Sequence, residues 1–147
     1  MYATQRKLSV VESTDANKFE VVKIVNSQSC AEFARQFYTD DIEIFESFFL
    51  ALLDRQNQTI GWAKISQGGV AGTVVDPIIV AKYAIDTLSS SVILVHNHPS
   101  GNLNPSVADK EITKKIKGTL DLFNAQVLDH IILTKDSFYS FADNGLL

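Results

Sequence analysis

Cysteine, positive charge and long apolar runs are all scarce in this chain. Cys30 is its single cysteine, which excludes an internal disulfide and a zinc site made of several thiolates. The longest uninterrupted apolar run, residues 48–53, is far too short to cross a membrane. No apolar signal segment follows the polar N-terminus, so nothing indicates secretion. We therefore expect a cytoplasmic protein that does not interact with a membrane.

The shortage of positive charge bears on possible partners. Lys and Arg number 13 against 17 Asp and Glu, which gives a formal net charge of −4. Proteins that hold nucleic acid non-specifically neutralise its phosphates with Lys and Arg. The charge balance argues against nucleic acid as the obvious partner, although a local basic face can still exist. The length of 147 residues suits one domain with a real hydrophobic core.

The pattern of apolar residues predicts strands and helices behind an irregular arm. Residues 1–18 are polar and predict a flexible N-terminal arm, followed by a domain over residues 19–147. Strands are predicted at residues 19–25, 43–53, 59–66, 92–95, 126–134 and 138–141. Helices are predicted at residues 30–37, from Pro77 and from Ser106. This order predicts an α/β (α+β) fold with a mixed, mostly antiparallel sheet flanked by helices.

Local signals predict where several of these elements begin and end. Ser29 and Glu32 match a capping box for the first helix, and Pro77 suits the first turn of the second helix. The turn after the hairpin of residues 43–66 is predicted by three glycines, Gly68, Gly69 and Gly72. The third helix is predicted to bury an apolar stripe formed by Ala108, Ile112, Ile116, Leu120 and Phe123.

The most informative segment is a pair of histidines at the predicted end of a strand. His96 and His98 are two residues apart, so both imidazoles point to the same side of an extended chain. Pro99 keeps His98 extended, and Asp109 adds a carboxylate further along. Two imidazoles and a carboxylate form a three-ligand set for a divalent metal. Three protein ligands leave the fourth position of zinc open to water, as in catalytic sites.

Each half of this set also has a structural interpretation. His96 and His98 alone are better explained as hydrogen-bonded loop histidines than as metal ligands. Ser106 and Asp109, three residues apart, match the capping box of a helix. The two roles of Asp109 can coexist, because a carboxylate in the first helical turn can still face the histidines.

Taken together, the spacing of these residues resembles a known motif. His96-x-His98, then seven residues, Ser106, two residues and Asp109 is similar to the JAMM motif of JAB/MPN-plus metalloprotease-like domains. The longer string over residues 96–106 resembles the RadC family, the bacterial branch of that group. Further likeness lies in residues 65–73, 128–132 and 139–147, so the resemblance covers roughly residues 40–147. It implies a cytidine deaminase-like three-layer sandwich.

The resemblance also implies an activity. It indicates a zinc-dependent hydrolase of the metallopeptidase type, with one Zn²⁺ per chain held by His96, His98 and Asp109. The activated water would attack an amide or isopeptide carbonyl, so a peptide or isopeptide substrate is expected. Oligomeric state and the identity of the substrate are not predicted.

Two further residues receive catalytic roles from the family pattern. A glutamate upstream of the histidines acts as general base in the family, and Glu46 is the matching residue. Glu43 is a competitor, because the chemistry of the two carboxylates does not distinguish them. The resemblance gives Ser106 the role of helping to hold the oxyanion, with its capping contact fixing the hydroxyl in place.

Other functions remain open as alternatives. The RadC family is traditionally associated with DNA repair, so the domain would act on nucleic acid, bind it or serve as a non-catalytic module. We expect no helix-hairpin-helix region of the kind many members carry, because the chain leaves no room for one. A second departure is Ile78, which follows Asp76 and Pro77 where members often have Arg.

The remaining reactive side chains receive structural interpretations. His130, next to Asp129, is expected to be held by hydrogen bonds and not by a metal. The third helix carries a basic cluster that is expected to be a solvated face, formed by Lys110, Lys114, Lys115 and Lys117. Glu111 and Lys115 have the spacing of a favourable ion pair. Cys30 lies too far outside the motif to be proposed as a nucleophile.

Overall fold

A computed structural model describes residues 1–5, 7, 9–14, 17–68 and 73–147. The elements within these residues are α1 (Ser27–Arg35), β1 (Ser47–Leu53), β2 (Thr59–Gln67), α2 (Pro77–Asp86), β3 (Ser91–Asn97), α3 (Val107–Asp121), β4 (Gln126–Leu133) and β5 (Phe138–Ser140). The five strands form one sheet in the order β2-β1-β3-β4-β5. Only β3 and β4 run parallel, and the other neighbours are antiparallel. The predicted mixed, mostly antiparallel sheet is confirmed.

Helices cover both faces of this sheet. β1 is buried along its whole length, and its side chains alternate between the two faces because the period of a strand is two residues. Phe49 and Ala51 pack in the cluster that contains the buried residues of α1. Leu50 and Leu52 pack in the opposite cluster, with residues of α2 and α3. The layers are therefore helix, sheet and helices, as the three-layer expectation requires.

The predicted hairpin of the first half is confirmed, but its first strand is shorter than expected. β1 begins at Ser47, because the preceding residues form a turn in which the N–H groups of Ile44 and Phe45 donate to the Asp41 carbonyl. β2 follows after a turn in which Asn57 has a positive φ of 59°. Gly68 lies directly after β2. Gly69 and Gly72 lie outside the described residues.

The strand predicted at residues 19–25 is wrong. This segment makes a single antiparallel bridge, between Lys23 and Gln58, with the Ile24 N–H donating to the Asn57 carbonyl at 2.8 Å. The Thr59 N–H at the start of β2 also donates to the Val22 carbonyl at 2.9 Å, but the pairing does not continue along β2, so no ladder forms. Apolar, β-branched residues predict packing against a core but not a partner strand.

The first helix begins earlier than predicted, and its cap is a different residue. α1 starts at Ser27 with Asn26 as N-cap, whose side chain accepts from the Ser29 N–H at 2.9 Å. Ser29 completes the capping box by accepting from the Asn26 N–H at 3.1 Å. Ser29 therefore occupies the N3 position and is not the cap that was paired with Glu32. Serine suits both positions, which is why the sequence pattern misplaced this boundary.

The starts of α2 and α3 are confirmed, and the buried face of α3 is corrected. Pro77 opens α2 behind the N-cap Asp76, and Ser106 caps α3. The buried face of α3 consists of Asp109, Thr113, Ile116 and Leu120. The predicted stripe members Ala108 and Phe123 are exposed. The buried face of α3 therefore differs from the predicted one, because the first two turns of the helix face polar partners and not the apolar core.

The N-terminal arm and the C-terminal turn both contact the domain. The Val10 N–H donates to Asp86 at 2.7 Å, and the indole N–H of Trp62 donates to the Asn17 carbonyl at 3.3 Å. The domain boundary at residue 18 stays a prediction.

No helix in the described part of the chain is long and apolar enough to span a membrane.

A buried carboxylate connects β4 to the C-terminal turn. Asp129 accepts hydrogen bonds from the His130 N–H, the Ala142 N–H and the Ser140 hydroxyl, at 2.7, 3.0 and 2.6 Å. Burial raises the pKa of the Asp129 carboxyl above its ordinary value, although these donors favour the ionised form and partly offset the shift. The three donors depend on this one side chain.

Replacement of Asp129 should therefore destabilise the protein. Asp129→Ala leaves buried donors without an acceptor, which costs about 1–3 kcal/mol in the free energy of unfolding. Urea denaturation followed by circular dichroism measures this loss. Asp136→Ala, in the exposed turn before β5, is the control and should change stability by less than about 0.5 kcal/mol. Equal stability of the two variants would contradict the assigned role of Asp129.

Candidate metal centre

The β3–α3–β4 unit brings the motif residues to one end of the sheet. β3 and β4 are parallel neighbours joined by α3, so the carboxyl end of β3 meets the N-terminus of the helix. Ligand sites of α/β folds commonly lie at such carboxyl ends. His96 is the penultimate residue of β3 and is 1% exposed, and His98 directly follows the strand. The sequence predicted this placement at the end of a buried strand, and it is confirmed.

Three side chains converge there. The Nε2 atoms of His96 and His98 lie 2.9 Å apart. Asp109 places Oδ1 3.2 Å from His96 Nε2 and Oδ2 3.4 Å from His98 Nε2. Within the described residues, these three form the group of histidines and carboxylates that could hold a metal ion. The structure thus brings together the three predicted ligands.

The separations and chemistry of these atoms suit a divalent cation. Two nitrogen or oxygen ligands at about 2.0–2.1 Å from a tetrahedral zinc lie about 3.3–3.4 Å apart. The observed separations of 2.9, 3.2 and 3.4 Å are of this order, with the last two ending on different oxygens of Asp109, and one ligand atom from each residue can be chosen within 4.8 Å of the others. Imidazole nitrogens beside a carboxylate are also the donor set that zinc prefers. The residues therefore fit a metal, whose identity the geometry alone does not specify.

The helix cap orients the carboxylate of Asp109. Ser106 Oγ accepts from the Asp109 N–H at 3.0 Å, and Asp109 Oδ2 accepts from the Ser106 N–H at 2.7 Å. The capping interpretation is confirmed, and because the same carboxylate faces both histidines, the cap leaves the ligand role of Asp109 open as a prediction. Burial favours the neutral acid, but hydrogen bonds to His96 and His98 outweigh it and hold the pKa of Asp109 well below its ordinary value.

A backbone carbonyl orients the ring of His98. Nδ1 of His98 lies 2.5 Å from the Asn102 carbonyl oxygen. Because a carbonyl only accepts, Nδ1 carries a hydrogen, so Nε2 is the bare nitrogen when the ring is neutral and donates to Asp109 when the ring is protonated. Partial burial lowers the pKa of His98, but the hydrogen bond to Asp109, the Asn102 carbonyl and the charges of Asp109 and Glu46 together raise it above its ordinary value.

The other ring nitrogen of His96 points into the core, toward a partner that the sequence did not predict. His96 Nδ1 lies 2.7 Å from His130 Nε2, and His130 Nδ1 lies 2.6 Å from the Thr113 hydroxyl. His130 is 0% exposed, and the expectation that hydrogen bonds hold it is confirmed. Its partners come from β3 and α3, so no local sequence signal identified them. Burial lowers the pKa of His130.

Asn97 holds the segment that carries the glutamate in place. It is 0% exposed, and its Oδ1 accepts from the Ser47 N–H at 2.8 Å. Its Nδ2 donates to the carbonyls of Ile42 and Phe45 at 2.7 and 2.8 Å. These three contacts surround Glu46 in the chain. The sequence interpretation missed this role, because a long-range contact from an asparagine leaves no local pattern.

The two candidate glutamates have different surroundings. Glu43 pairs with Lys135 at 3.2 Å on an exposed surface. Glu46 directly precedes β1. Phe48, the second residue of that strand, lies opposite His96 in the antiparallel pairing of β1 with β3. The charge of Glu46 also acts on His98, as described above. Glu46 is half-buried while Glu43 is exposed and ion-paired, so Glu46 is the better candidate, and its role as general base stays a prediction.

Cys30 and the lysines of α3 are not part of the three-residue group that could hold a metal ion. Cys30 is 4% exposed on the buried face of α1, and burial, with the charges of Asp129 and Asp143, raises its pKa to about 12. A neutral buried thiol is a poor nucleophile. Lys110, Lys114 and Lys115 are exposed, as the interpretation as a solvated face requires.

Comparison with known proteins places this geometry in a family. The family model described as the RadC-like JAB domain matches residues 24–146. The chain belongs to this family. The expected RadC and JAB relationship is therefore confirmed, together with the fold that it implied.

Curated relatives support the same RadC-like assignment. A UPF0758 protein of Flavobacterium johnsoniae is 46% identical over 101 residues, which cover 69% of this chain and 44% of the relative. UPF0758 protein YfjY of Escherichia coli is 42% identical over 102 residues, 69% of this chain and 64% of the relative. UPF0758 protein VSAL_I0192 of Aliivibrio salmonicida is 32% identical over 139 residues, 93% and 62% respectively. The chain thus spans roughly half to two-thirds of these relatives.

One position where RadC-like proteins were expected to carry Arg is exposed in this chain. Ile78, in the first turn of α2, is 73% exposed, and its N–H donates to the capping side chain of Asp76 at 2.9 Å. The side chain at position 78 makes no contribution to the three-ligand group described above.

Loss of the Asn97 side chain should destabilise this RadC-like domain. Asn97→Ala leaves the Ser47 N–H and two carbonyls without a partner in a buried position, at about 1–3 kcal/mol for each group left unsatisfied. The free energy of unfolding from urea titration measures the effect. Asn104→Ala, at an exposed position in the loop between β3 and α3, is the matched control. A loss no larger than that of the control would show that water replaces the contacts of Asn97.

Proposed function

We propose that the domain is a zinc-dependent hydrolase of the metallopeptidase type, with one Zn²⁺ per chain. The observation that carries the proposal is the convergence of His96, His98 and Asp109 at separations suited to tetrahedral zinc. Three protein ligands leave one position open, which distinguishes a catalytic zinc site from a structural one. Membership of the RadC-like JAB family is compatible with this activity.

Glu46 is the proposed general base. When bound, a zinc ion with an open position lowers the pKa of water from about 15.7 to about 7. Glu46 would accept the proton that the attacking water loses and return it to the leaving amine. Support comes from its place directly before β1 and from its electrostatic effect on His98. Glu43 is unsuited to the role because its carboxylate pairs with Lys135 at the surface.

Ser106 is proposed to stabilise the oxyanion that forms at the attacked carbonyl. Its Oγ accepts from the Asp109 N–H, a contact that uses an oxygen lone pair and leaves the hydroxyl hydrogen able to donate. The cap fixes the position of the oxygen at the helix N-terminus, where the helix dipole also favours negative charge. A hydroxyl held beforehand in this way costs no reorganisation during the reaction.

The proposed substrate class is a peptide or isopeptide amide. It follows from the resemblance of the motif to JAMM metalloproteases, together with a proton donor for a leaving amine. A role linked to DNA remains the alternative, and the exposed lysines of α3 would carry it. The acidic net charge of −4 supports the hydrolase over nucleic-acid binding. We also propose that the protein works in the cytoplasm.

The proposal predicts a separation between metal binding and turnover. Glu46→Gln should retain zinc, because Glu46 is not a ligand, and should lower kcat by about 10²–10⁴-fold, because it removes the general base. His98→Ala should lose both zinc and activity. Zinc content is measured by elemental analysis, and turnover with a panel of fluorogenic peptide and isopeptide-linked substrates.

Glu43→Gln is the matched control for Glu46→Gln. It makes the same change three residues away, on a carboxylate paired with Lys135, and should keep both zinc and turnover. Full zinc retention by His98→Ala would overturn the metal site. Full zinc occupancy in the native sequence without cleavage of any substrate would overturn the hydrolase and favour a binding module.

A further inference from the structure

A buried chain of hydrogen bonds runs from His96 into the core. His96 Nδ1 lies 2.7 Å from His130 Nε2, and His130 Nδ1 lies 2.6 Å from Thr113 Oγ1. Thr113 Oγ1 in turn lies 2.6 Å from the backbone carbonyl oxygen of Asp109. His96 and Thr113 are 1% exposed and His130 is 0% exposed. The chain therefore joins one proposed ligand, His96, to the helical turn that carries another, Asp109.

The direction of this chain follows from the single hydrogen of the threonine hydroxyl. The carbonyl of Asp109 can only accept, so at 2.6 Å the Thr113 hydroxyl must donate to it. The hydroxyl then has only lone pairs to offer His130, whose Nδ1 must carry the hydrogen. Donation to His130 instead would leave two acceptor oxygens in contact at 2.6 Å without a hydrogen between them.

The other ring nitrogen of His130, Nε2, faces Nδ1 of His96. The ring is fully buried, 4.5 Å from the ring centroid of Phe141 and 5.5 Å from that of Phe48. An unpaired charge in such surroundings is costly, so the ring is neutral. A neutral imidazole with hydrogen on Nδ1 has a bare Nε2, which accepts from His96 Nδ1. His96 is then left with a bare Nε2 that faces His98 and Asp109.

We infer that Thr113 and His130 are positioning residues that hold His96 in its Nδ1–H tautomer, so that Nε2 presents a lone pair to the metal. This inference rests on the proposed metal site and adds how that site is set. The hydrogen bond of the non-ligating nitrogen decides which nitrogen of a histidine binds metal. His98 is held in the same state by the Asn102 carbonyl. With both rings neutral, the two Nε2 atoms and the Asp109 carboxylate are acceptors 2.9–3.4 Å apart, so the group needs a cation, either a proton or a metal ion, between them.

The decisive variant removes the hydroxyl that sets the direction. Thr113→Val keeps the branched shape but gives His130 Nδ1 no acceptor, which releases His130 and then His96 to the opposite tautomers. Zinc affinity should fall by about 10–100-fold, the usual effect of losing the partner of a ligating histidine. Competition with a chromophoric zinc chelator measures it. Thr113→Ser, which keeps the hydroxyl, should bind zinc within about threefold of the native protein on the same reasoning.

Thr119→Val is the matched control on the same helix. Thr119 also donates to the carbonyl four residues earlier, at 2.8 Å from Lys115 O, but its neighbours do not include the histidines. Thr119→Val should leave zinc affinity unchanged. It therefore separates a general effect of valine on α3 from the loss of the hydrogen bond between Thr113 and His130. Native affinity in Thr113→Val would overturn the inference.

A second measurement reads the tautomer directly. Long-range ¹H–¹⁵N correlation spectra of the native protein distinguish a protonated from a bare ring nitrogen. His130 should show hydrogen on Nδ1 and a bare Nε2, with and without zinc, and hydrogen on Nε2 would overturn the inference. This result decides the matter if Thr113→Val fails to fold. It also separates the two proposals, since zinc binding and this tautomer in a native protein without turnover contradict only the proposed hydrolase activity, whereas absence of zinc binding contradicts both.

Discussion

The carboxylate of Asp109 is the group on which both the helix start and the candidate metal centre depend. One oxygen accepts the Ser106 N–H that closes the helix cap, and both oxygens face the histidines of β3. A carboxylate that is 9% exposed is costly unless it is paired. These partners make its burial tolerable, and in return they hold the N-terminus of α3 against the carboxyl end of β3. The fold of the β3–α3–β4 unit and the geometry of the site are therefore the same set of contacts.

Behind this carboxylate, polar groups replace the apolar core at one end of the sheet. His96, His130, Thr113 and Asn97 are all at most 1% exposed, and each has hydrogen-bond partners within the protein. Among the described residues, the buried side-chain atoms without a partner are the hydroxyl oxygens of Ser91 and of Ser47, whose N–H donates to Asn97. A buried network is rigid when its members are satisfied and unfavourable when they are not. This rigidity suits a site whose ligands must be held before the metal arrives.

Much of the fold was predictable because its elements carry strong local patterns. The hairpin, the strand that precedes the histidines, the two closing strands and the capped starts of α2 and α3 are confirmed. The errors lie where a local pattern had two solutions. Residues 19–25 have the apolar composition of a strand but make a single β-bridge, and Ser29 suited two positions of a capping box. Tertiary contacts also decided which face of α3 is buried: Thr113 faces the core, and Ala108, predicted to be buried, faces solvent.

The sequence by itself determined the chemistry of the site, because the spacing of His96, His98, Ser106 and Asp109 is compressed into one strand end and one helix start. It also determined the RadC-like resemblance that the comparisons confirmed. Only the tertiary structure showed that Glu43 is paired with Lys135 and which groups support the three converging side chains. Asn97 reaches the turn before β1, and His130 reaches both β3 and α3. Such contacts join residues that are distant in the chain, so no periodicity or spacing encodes them.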